Sequence, residues 1–183
     1  MSAKPLKKNA TYDDLCEVPE NFVAEMFDGD LYASPRPALP RVHAGSVLGY
    51  QLGTFHHNGP DGWVILDEPE LHFGSDVLVP DLAGWRRTRM PRIPAEAYVT
   101  LAPDWVCEVL SISTEPLDRG KKLRIYAREG VAHAWLVDPL ARTLEVPCLR
   151  EGRWAQLGRY EGEARVRAVP FDAIELDLGA LWI

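Results

Sequence analysis

The chain has 183 residues, a net charge of −7, a hydrophobic share of 46% and a charged share of 26%. That size and balance suit one soluble domain with its own core, and the acidic surplus argues against a protein that coats nucleic acid by charge alone. No apolar run reaches the roughly 20 residues that span a bilayer. The polar start lacks the apolar segment of a signal peptide, and three cysteines without Cys-x-x-Cys spacing argue against a zinc or disulfide framework, so a reducing cytoplasm is expected.

Residues 1–10 read as a flexible basic tail, and residues 11–183 as a single domain. Thr11 suits a helix N-cap, with Asp14 three residues on, and Pro19 keeps that helix short. Phe22 to Phe27 reads as a strand, Asp28-Gly29 as a hairpin turn, and Leu31 to Ala33 as the returning strand. Glu25 shares a strand face with Val23 and Phe27, where an acid is either a solvated edge residue or part of a site. Pro40 to His56 carries apolar positions at helical spacing, and Asn58 to Gly62 supplies a turn behind it. Trp63 to Leu66 and Glu70 to Phe73 read as short strands, and Val77 to Trp85 as one further strand. Arg86, Arg87, Arg89 and Arg92 crowd the next loop.

Trp105 to Leu110 reads as a buried strand with one carboxylate, Glu108, in its middle. Leu117 to Arg128 reads as a helix stopped at Gly130. Ala132 to Val137 is expected as a strand, Leu144 to Leu149 and Arg153 to Tyr160 as a C-terminal hairpin, and Ile174, Leu176, Leu178 and Leu181 as apolar residues packing back. Strands, then a helix, then strands point to a mixed α/β layer arrangement.

Burying an unpaired carboxylate in an apolar strand is costly, which singles out Asp81 and Glu108. Magnesium takes oxygen ligands and needs only one or two carboxylates, so Asp81, Glu108 and the backbone carbonyl of Val109 form a candidate metal set. Phosphodiester hydrolysis also needs charge stabilisation, and Lys122 on the following helix offers a compact cation. Lys122 shares a face with Asp118 and Tyr126 at four-residue spacing. Each residue also has a plain structural reading. Asp81 could cap a turn after Pro80, Glu108 could be a solvated edge acid, and Lys122 could form a surface ion pair with Asp118. The four arginines are either a solvated loop or a phosphate-contacting, nucleic-acid-binding surface. No Gly-x-Ser-x-Gly elbow supports a serine hydrolase. Cys107, beside Glu108 and so on the other strand face, reads as an inert buried thiol.

The run Ala102-Pro103-Asp104-Trp105-Val106-Cys107-Glu108-Val109-Leu110-Ser111 is followed by Asp118-Arg119-Gly120-Lys121-Lys122-Leu123, Tyr126 to Val131, and Trp135-Leu136-Val137-Asp138-Pro139. Together these resemble the Uma-type endonuclease family of the PD-(D/E)XK, restriction-endonuclease-like superfamily. Val79-Pro80-Asp81-Leu82 is similar to its PD element, and Phe22 to Tyr32 to its opening hairpin. The resemblance runs from Tyr12 to Leu181.

It implies a restriction-endonuclease-like mixed β-sheet flanked by helices. It also implies metal on Asp81 and Glu108, Glu25 as an accessory acid, and Mg2+-dependent phosphodiester cleavage. Leu110 stands where the superfamily's simplest pattern has lysine, and Lys122 is the position that takes over that role. The expectation is a cytoplasmic, Mg2+-dependent DNA endonuclease, with Mn2+ as a substitute metal. Its catalytic residues are Asp81, Glu108, Lys122 and Glu25. A homodimer is expected, because cutting both strands favours two sites. Two other readings stay open: a non-catalytic nucleic-acid or protein binding module on the nuclease fold, and a metal-dependent hydrolase of smaller phosphate esters.

Overall fold

Thr11 starts the first helix as expected: its side chain accepts from the Asp14 N–H, and Asp14 answers the Thr11 N–H in a capping box at the head of α1 (Tyr12–Cys16). The computed structural model describes residues 4–57 and 62–182. The turn expected at Asn58-Gly59-Pro60-Asp61 lies outside the described residues. Within the segment expected as a loose tail, Leu6 donates to the Leu31 carbonyl at 2.7 Å and Leu31 donates to the Lys7 carbonyl at 2.8 Å. Those residues therefore line the open edge of a strand and satisfy its unpaired backbone groups.

β1 (Phe22–Phe27) and β2 (Asp30–Pro35) pair in register across Asp28-Gly29. Both turn residues have positive φ, 56° and 78°, which matches the twist of the hairpin strands. α2 (Leu39–Leu52) begins with proline in its first turn and tightens into a 3-10 turn, Gly53–His57, so the helix expected as far as His56 is shorter and ends in two stages. β3 (Trp63–Asp67) and β4 (Glu70–Phe73) follow.

The single strand expected over Val77 to Trp85 is two strands, β5 (Asp76–Leu78) and β6 (Leu82–Arg86). Pro80 cannot donate to a ladder, and the chain uses residues 79–81 to leave one sheet and join the other. Asp81 therefore stands in the link rather than inside a strand.

β7 (Tyr98–Val99) and β8 (Trp105–Val109) precede a helical stretch. That stretch is α3 (Glu115–Leu117), a wider π turn over Asp118–Lys122, and α4 (Leu123–Arg128). Gly130 follows with φ of 76°, the left-handed stop that glycine adopts readily. β9 (His133–Asp138), β10 (Thr143–Arg150) and β11 (Arg153–Glu161) follow, the last two as the expected hairpin. β12 (Arg165–Val166) and β13 (Leu176–Asp177) form a small separate pair.

Among the described residues, the strands build a five-stranded sheet, β2-β1-β5-β4-β7, and a six-stranded mixed sheet, β11-β10-β9-β8-β6-β3, in which β8 and β9 run parallel. The fold is thus α/β, with mixed sheets flanked by few helices. Strand alternation divides the six-stranded sheet's side chains between two cores. Trp105, Cys107 and Val109 face α2 and the C-terminal segment, where Phe171 packs among Phe55, Trp63, Trp105 and Trp135 at ring distances of 4.7 to 5.6 Å. Val106 and Ala83 face the other way, toward Leu117, Ile125, Tyr126 and the five-stranded sheet's Phe27 and Leu71. Glu108, flanked by Val106 in that alternation, is directed into the second layer.

Gly84 in β6 lies under this aromatic packing. A Cβ there would stand 3.1 Å from Trp105 and 3.2 Å from Trp63, whose rings are 0% and 1% exposed and have little room to withdraw. Gly84→Ala should lower stability by about 1–3 kcal/mol, the usual range for overpacking. Chemical denaturation that gives the variant the parent's midpoint would show that the two rings can move apart.

Candidate active site

The link between β5 and β6 brings Asp81 close to three other acids from separate elements. Glu25 comes from β1, Glu108 from β8, and Asp118 from the π turn. Glu25 is 7% exposed and accepts the Val79 N–H at 2.8 Å. Glu108 is 0% exposed, accepting from the Tyr126 hydroxyl at 2.6 Å and from Lys122 Nζ at 2.8 Å. Asp81 accepts at both oxygens: Arg41 donates Nε to Oδ1 at 2.9 Å and Nη2 to Oδ2 at 2.8 Å, and the Val109 N–H also reaches Oδ2 at 2.8 Å. A strand directs a residue's N–H and C=O to the same edge, so the Val109 carbonyl faces the Asp81 side as well.

Lys122 is the hub. Its Nζ donates to the Val79 carbonyl at 3.0 Å and to Glu108, and lies 3.0 Å from Glu25 Oε1 and 3.7 Å from Asp118 Oδ1. Its side chain is 1% exposed and that of Asp118 is 2% exposed. The reading of Lys122 and Asp118 as a surface pair is therefore corrected. Burial makes the pair part of the network, because the face carrying Asp118, Lys122 and Tyr126 turns inward. Lys121 points elsewhere, with its ammonium 3.2 Å from Asp28 and 5.6 Å from the Tyr32 ring centre.

Burial dominates the electrostatics. It pushes the Glu108 carboxyl up from 4.5 to about 8, opposed by the Lys122 charge and reinforced by Asp118, Asp81 and Glu25. Burial likewise raises Asp118 from 3.8 to about 6, again against Lys122. For Lys122, burial favours the neutral amine, but Glu108, Glu25 and Asp118 outweigh it and hold the ammonium charged. The Cys107 thiol, on the opposite face of β8, is pushed well up by burial and stays inert at neutral pH, as expected for it.

The structure thus brings Glu25, Asp81, Glu108, Lys122 and the backbone of Val109 into one cluster. It does not bring the four arginines there. Arg86 closes β6, five residues beyond Asp81, which at strand rise is about 16 Å away. The arginines stay at the end of the strand and in the loop after it, and the extended β6 carries that loop away from the acids. There Arg86 lies over the Trp63 ring at 4.5 Å, Arg89 pairs with Asp104 at 2.9 Å, and Arg89 and Arg92 line a separate cleft of about 390 Å³.

Sequence reasoning missed Arg41 altogether, since its partner stands 40 residues away and nothing around it demands an acid. Tyr126 had a usable signal in its four-residue spacing from Lys122. Among the described residues no three His, Cys, Asp or Glu side chains form a ready metal-holding group. In this state the acids are held by other groups: Arg41 covers Asp81, and Lys122 with Tyr126 covers Glu108.

A family model described as "Uma2: Putative restriction endonuclease" matches residues 10–179. The crystal structure of "a putative nuclease belonging to DUF820" from Anabaena variabilis superposes with a TM-score of 0.76 at 21% identity, covering 94% of this chain and 97% of that one. That likeness shows the shared fold. No curated protein matches the chain. Among the described residues no helix is long and apolar enough to cross a membrane.

The buried acids give the metal-free protein a pH signature. Unfolding returns Glu108 from about 8 to its ordinary 4.5, so between those values the folded chain keeps a proton that the unfolded chain has shed. The stability that Glu108 contributes is therefore fully present below 4.5 and is lost as pH rises through 8. Lys122 and Arg41 are charged in both states at these pH values, and His133, held below 6.5 by burial, acts in the opposite sense only at lower pH. Unfolding free energy should fall between about pH 6.5 and 8, by at most about 1.4 kcal/mol per pH unit. Glu108→Gln should flatten that profile. A parent profile that is flat or rises over the same range would show that Glu108 is ionised throughout.

Proposed function

The chain belongs to the family described as "Uma2: Putative restriction endonuclease", and from that membership we propose that it is a Mg2+-dependent endonuclease hydrolysing DNA phosphodiester bonds. Mn2+ would substitute for Mg2+, and the protein would act in the cytoplasm as a homodimer. The observation that carries this reading is the buried acid cluster at the junction of the two sheets. Among the described residues, Glu25, Asp81, Glu108 and Asp118 face only the cations Arg41 and Lys122, so full ionisation leaves two negative charges uncompensated. Asp118 Oδ2 is buried with no hydrogen-bond partner among the described residues. An all-oxygen donor set with surplus negative charge suits a hard divalent cation.

Asp81 and Glu108, with the carbonyl of Val109, would hold the ion. Bound Mg2+ would polarise the phosphoryl group and lower the pKa of a coordinated water toward neutrality. The remaining work falls to the chain's own groups. To serve as a ligand Glu108 would have to be ionised, and the Tyr126 hydroxyl and the Lys122 ammonium, which donate to it, would steady that carboxylate. Glu25 holds the Val79 N–H and sets one side of Lys122, so it orients the hub. Lys122 carries the fixed positive charge that strengthens as negative charge grows on the phosphate, the form of stabilisation that counts most toward rate. The arginine loop would engage the nucleic-acid backbone at a distance from the acids, since each lysine or arginine on a phosphate adds affinity through counterion release.

Incubating the purified chain with supercoiled plasmid and with single-stranded DNA, with Mg2+, Mn2+ or chelator, tests the reading. Metal-dependent nicking or linearisation of DNA is expected. Asp81→Asn and Glu108→Gln should remove it while the variants keep a cooperative melt. Lys122→Met should slow single-turnover cleavage by about 100-fold. It should also lower stability by about 3–5 kcal/mol, because it strands buried acids without a counter-charge. Lys121→Met, which removes only a contact to the exposed Asp28, should leave the rate within about twofold of the parent. Equal loss in the two lysine variants would remove Lys122 from the mechanism. No cleavage under any metal condition, with small phosphate diesters hydrolysed instead, would replace the nuclease reading by the phosphate-ester one.

A further inference from the structure

Asp81 is the acid expected to bind metal, yet both of its oxygens are already taken. Arg41 holds them with a two-pronged contact at 2.9 and 2.8 Å, the geometry in which guanidinium and carboxylate match best. Both side chains are largely out of solvent, at 15% and 10% exposure. The space enclosed beside this pair by Glu25, Thr114 and Asp118 is only about 10 Å³, room for roughly one water molecule. Outside the pair lies a cleft of about 360 Å³ that includes Arg36, Gly45, Ser46, Asp67 and Glu68. Arg41, Asp81 and Glu68 line both spaces, so the ion pair is the partition between them.

We propose that Arg41 is a built-in stand-in for the metal: it neutralises Asp81 while the site is empty, and it must leave Asp81 and swing into the outer cleft when a divalent ion binds. This rests on the metal reading of the site given above. The competition follows from simple accounting of oxygen lone pairs and charge. A carboxylate with two guanidinium contacts and one backbone N–H offers little to a cation, and Arg41 in its present place would stand as a like charge beside that cation. The outer cleft can receive the guanidinium, because it carries two acids, Asp67 and Glu68. Arg41 sits in the first turn of α2, after the Pro35-Arg36-Pro37 stretch, where the helix end has no side-chain cap. Its side chain can therefore change partner without breaking a cap contact.

The consequence is a two-way coupling. Removing Arg41 frees Asp81 for metal but leaves the empty site with one counter-charge fewer. Arg41→Ala should bind Mn2+ about tenfold tighter than the parent in isothermal titration calorimetry, within the usual range of coupling between two sites. It should also melt at a lower temperature without metal and gain more from saturating Mn2+ than the parent does. Arg41→Lys keeps the charge but offers no two-pronged grip, so its affinity should fall between the two. Asp81→Asn is the reference that should lose Mn2+ binding.

Equal Mn2+ affinity in the parent and both Arg41 variants, with Asp81→Asn still losing binding, would overturn the competition and leave the metal reading standing. Weaker binding in Arg41→Ala than in the parent would also overturn it, by making Arg41 a support of the site. No Mn2+ binding by any of these proteins would overturn the proposal together with the metal reading.

Discussion

A single buried ammonium holds the centre of this protein. Lys122 meets Glu108 from the six-stranded sheet, Glu25 from the five-stranded sheet, the Val79 carbonyl from the link between the sheets, and Asp118 from its own helical stretch. Take that charge away and the three acids are left facing one another, and the Val79 carbonyl loses its donor, in a medium that screens poorly. The two sheets are joined elsewhere by apolar packing, which is tolerant of small shifts. Lys122 is not tolerant in that way, because a charge moved by an ångström in a buried site loses much of its Coulombic return. The position of every acid in the cluster therefore depends on the helical stretch being wound so that residue 122 faces inward.

That winding has a local cause in the wider turn over Asp118–Lys122, an arrangement found often at functional sites. A buried ion network is a poor way to gain stability, since desolvation of the charges offsets most of their attraction and apolar residues of similar size would serve as well. Its presence at the meeting point of two sheets is the feature on which the proposed metal reading rests. Asp118 Oδ2, which has no hydrogen-bond donor among the described residues, belongs to that reading too, because native interiors rarely leave a buried acceptor without a donor.

Much of this was legible in the chain. Glu108 stood out because an acid in the middle of Trp105 to Val109 has no apolar reason to be there, and Asp28-Gly29 marked the hairpin that carries Glu25. The face shared by Asp118, Lys122 and Tyr126 was visible in their spacing, although whether it turned outward or inward was not, since both faces of an interrupted helix can look mixed in charge. Three features were hidden for physical reasons. The run from Val77 to Trp85 is apolar except at Pro80-Asp81, so nothing but that dipeptide hinted that it changes sheets. The arginines after Trp85 are close to Asp81 in sequence, but an extended strand converts five residues into distance rather than contact. Arg41 is tied to Asp81 only through the tertiary fold, which no local pattern encodes. Residues 6–10 read as a tail because a polar segment can edge-pair through its backbone alone, whatever its side chains.

The acidic balance of the whole chain, −7, at first sight opposes a role on nucleic acid. The site shows how the two are compatible. Part of that negative charge is sequestered in the cluster, where it is out of reach of a phosphate backbone and is partly silenced by the proton on Glu108. The rest is answered locally at the surface, where Arg119 bridges Glu115 and Glu145, and Arg128 joins Asp76. What a polyanion meets on approach is set by the charges that remain accessible within about 8–10 Å at physiological salt, not by the sum over the chain. On the proposed metal reading, a site that stores negative charge until a cation arrives would reverse its own field when loaded. The same carboxylates that would repel phosphate in the empty state would become the anchor for the positive charge that attracts it, and the sign of the site would then be governed by the metal rather than by the composition of the chain.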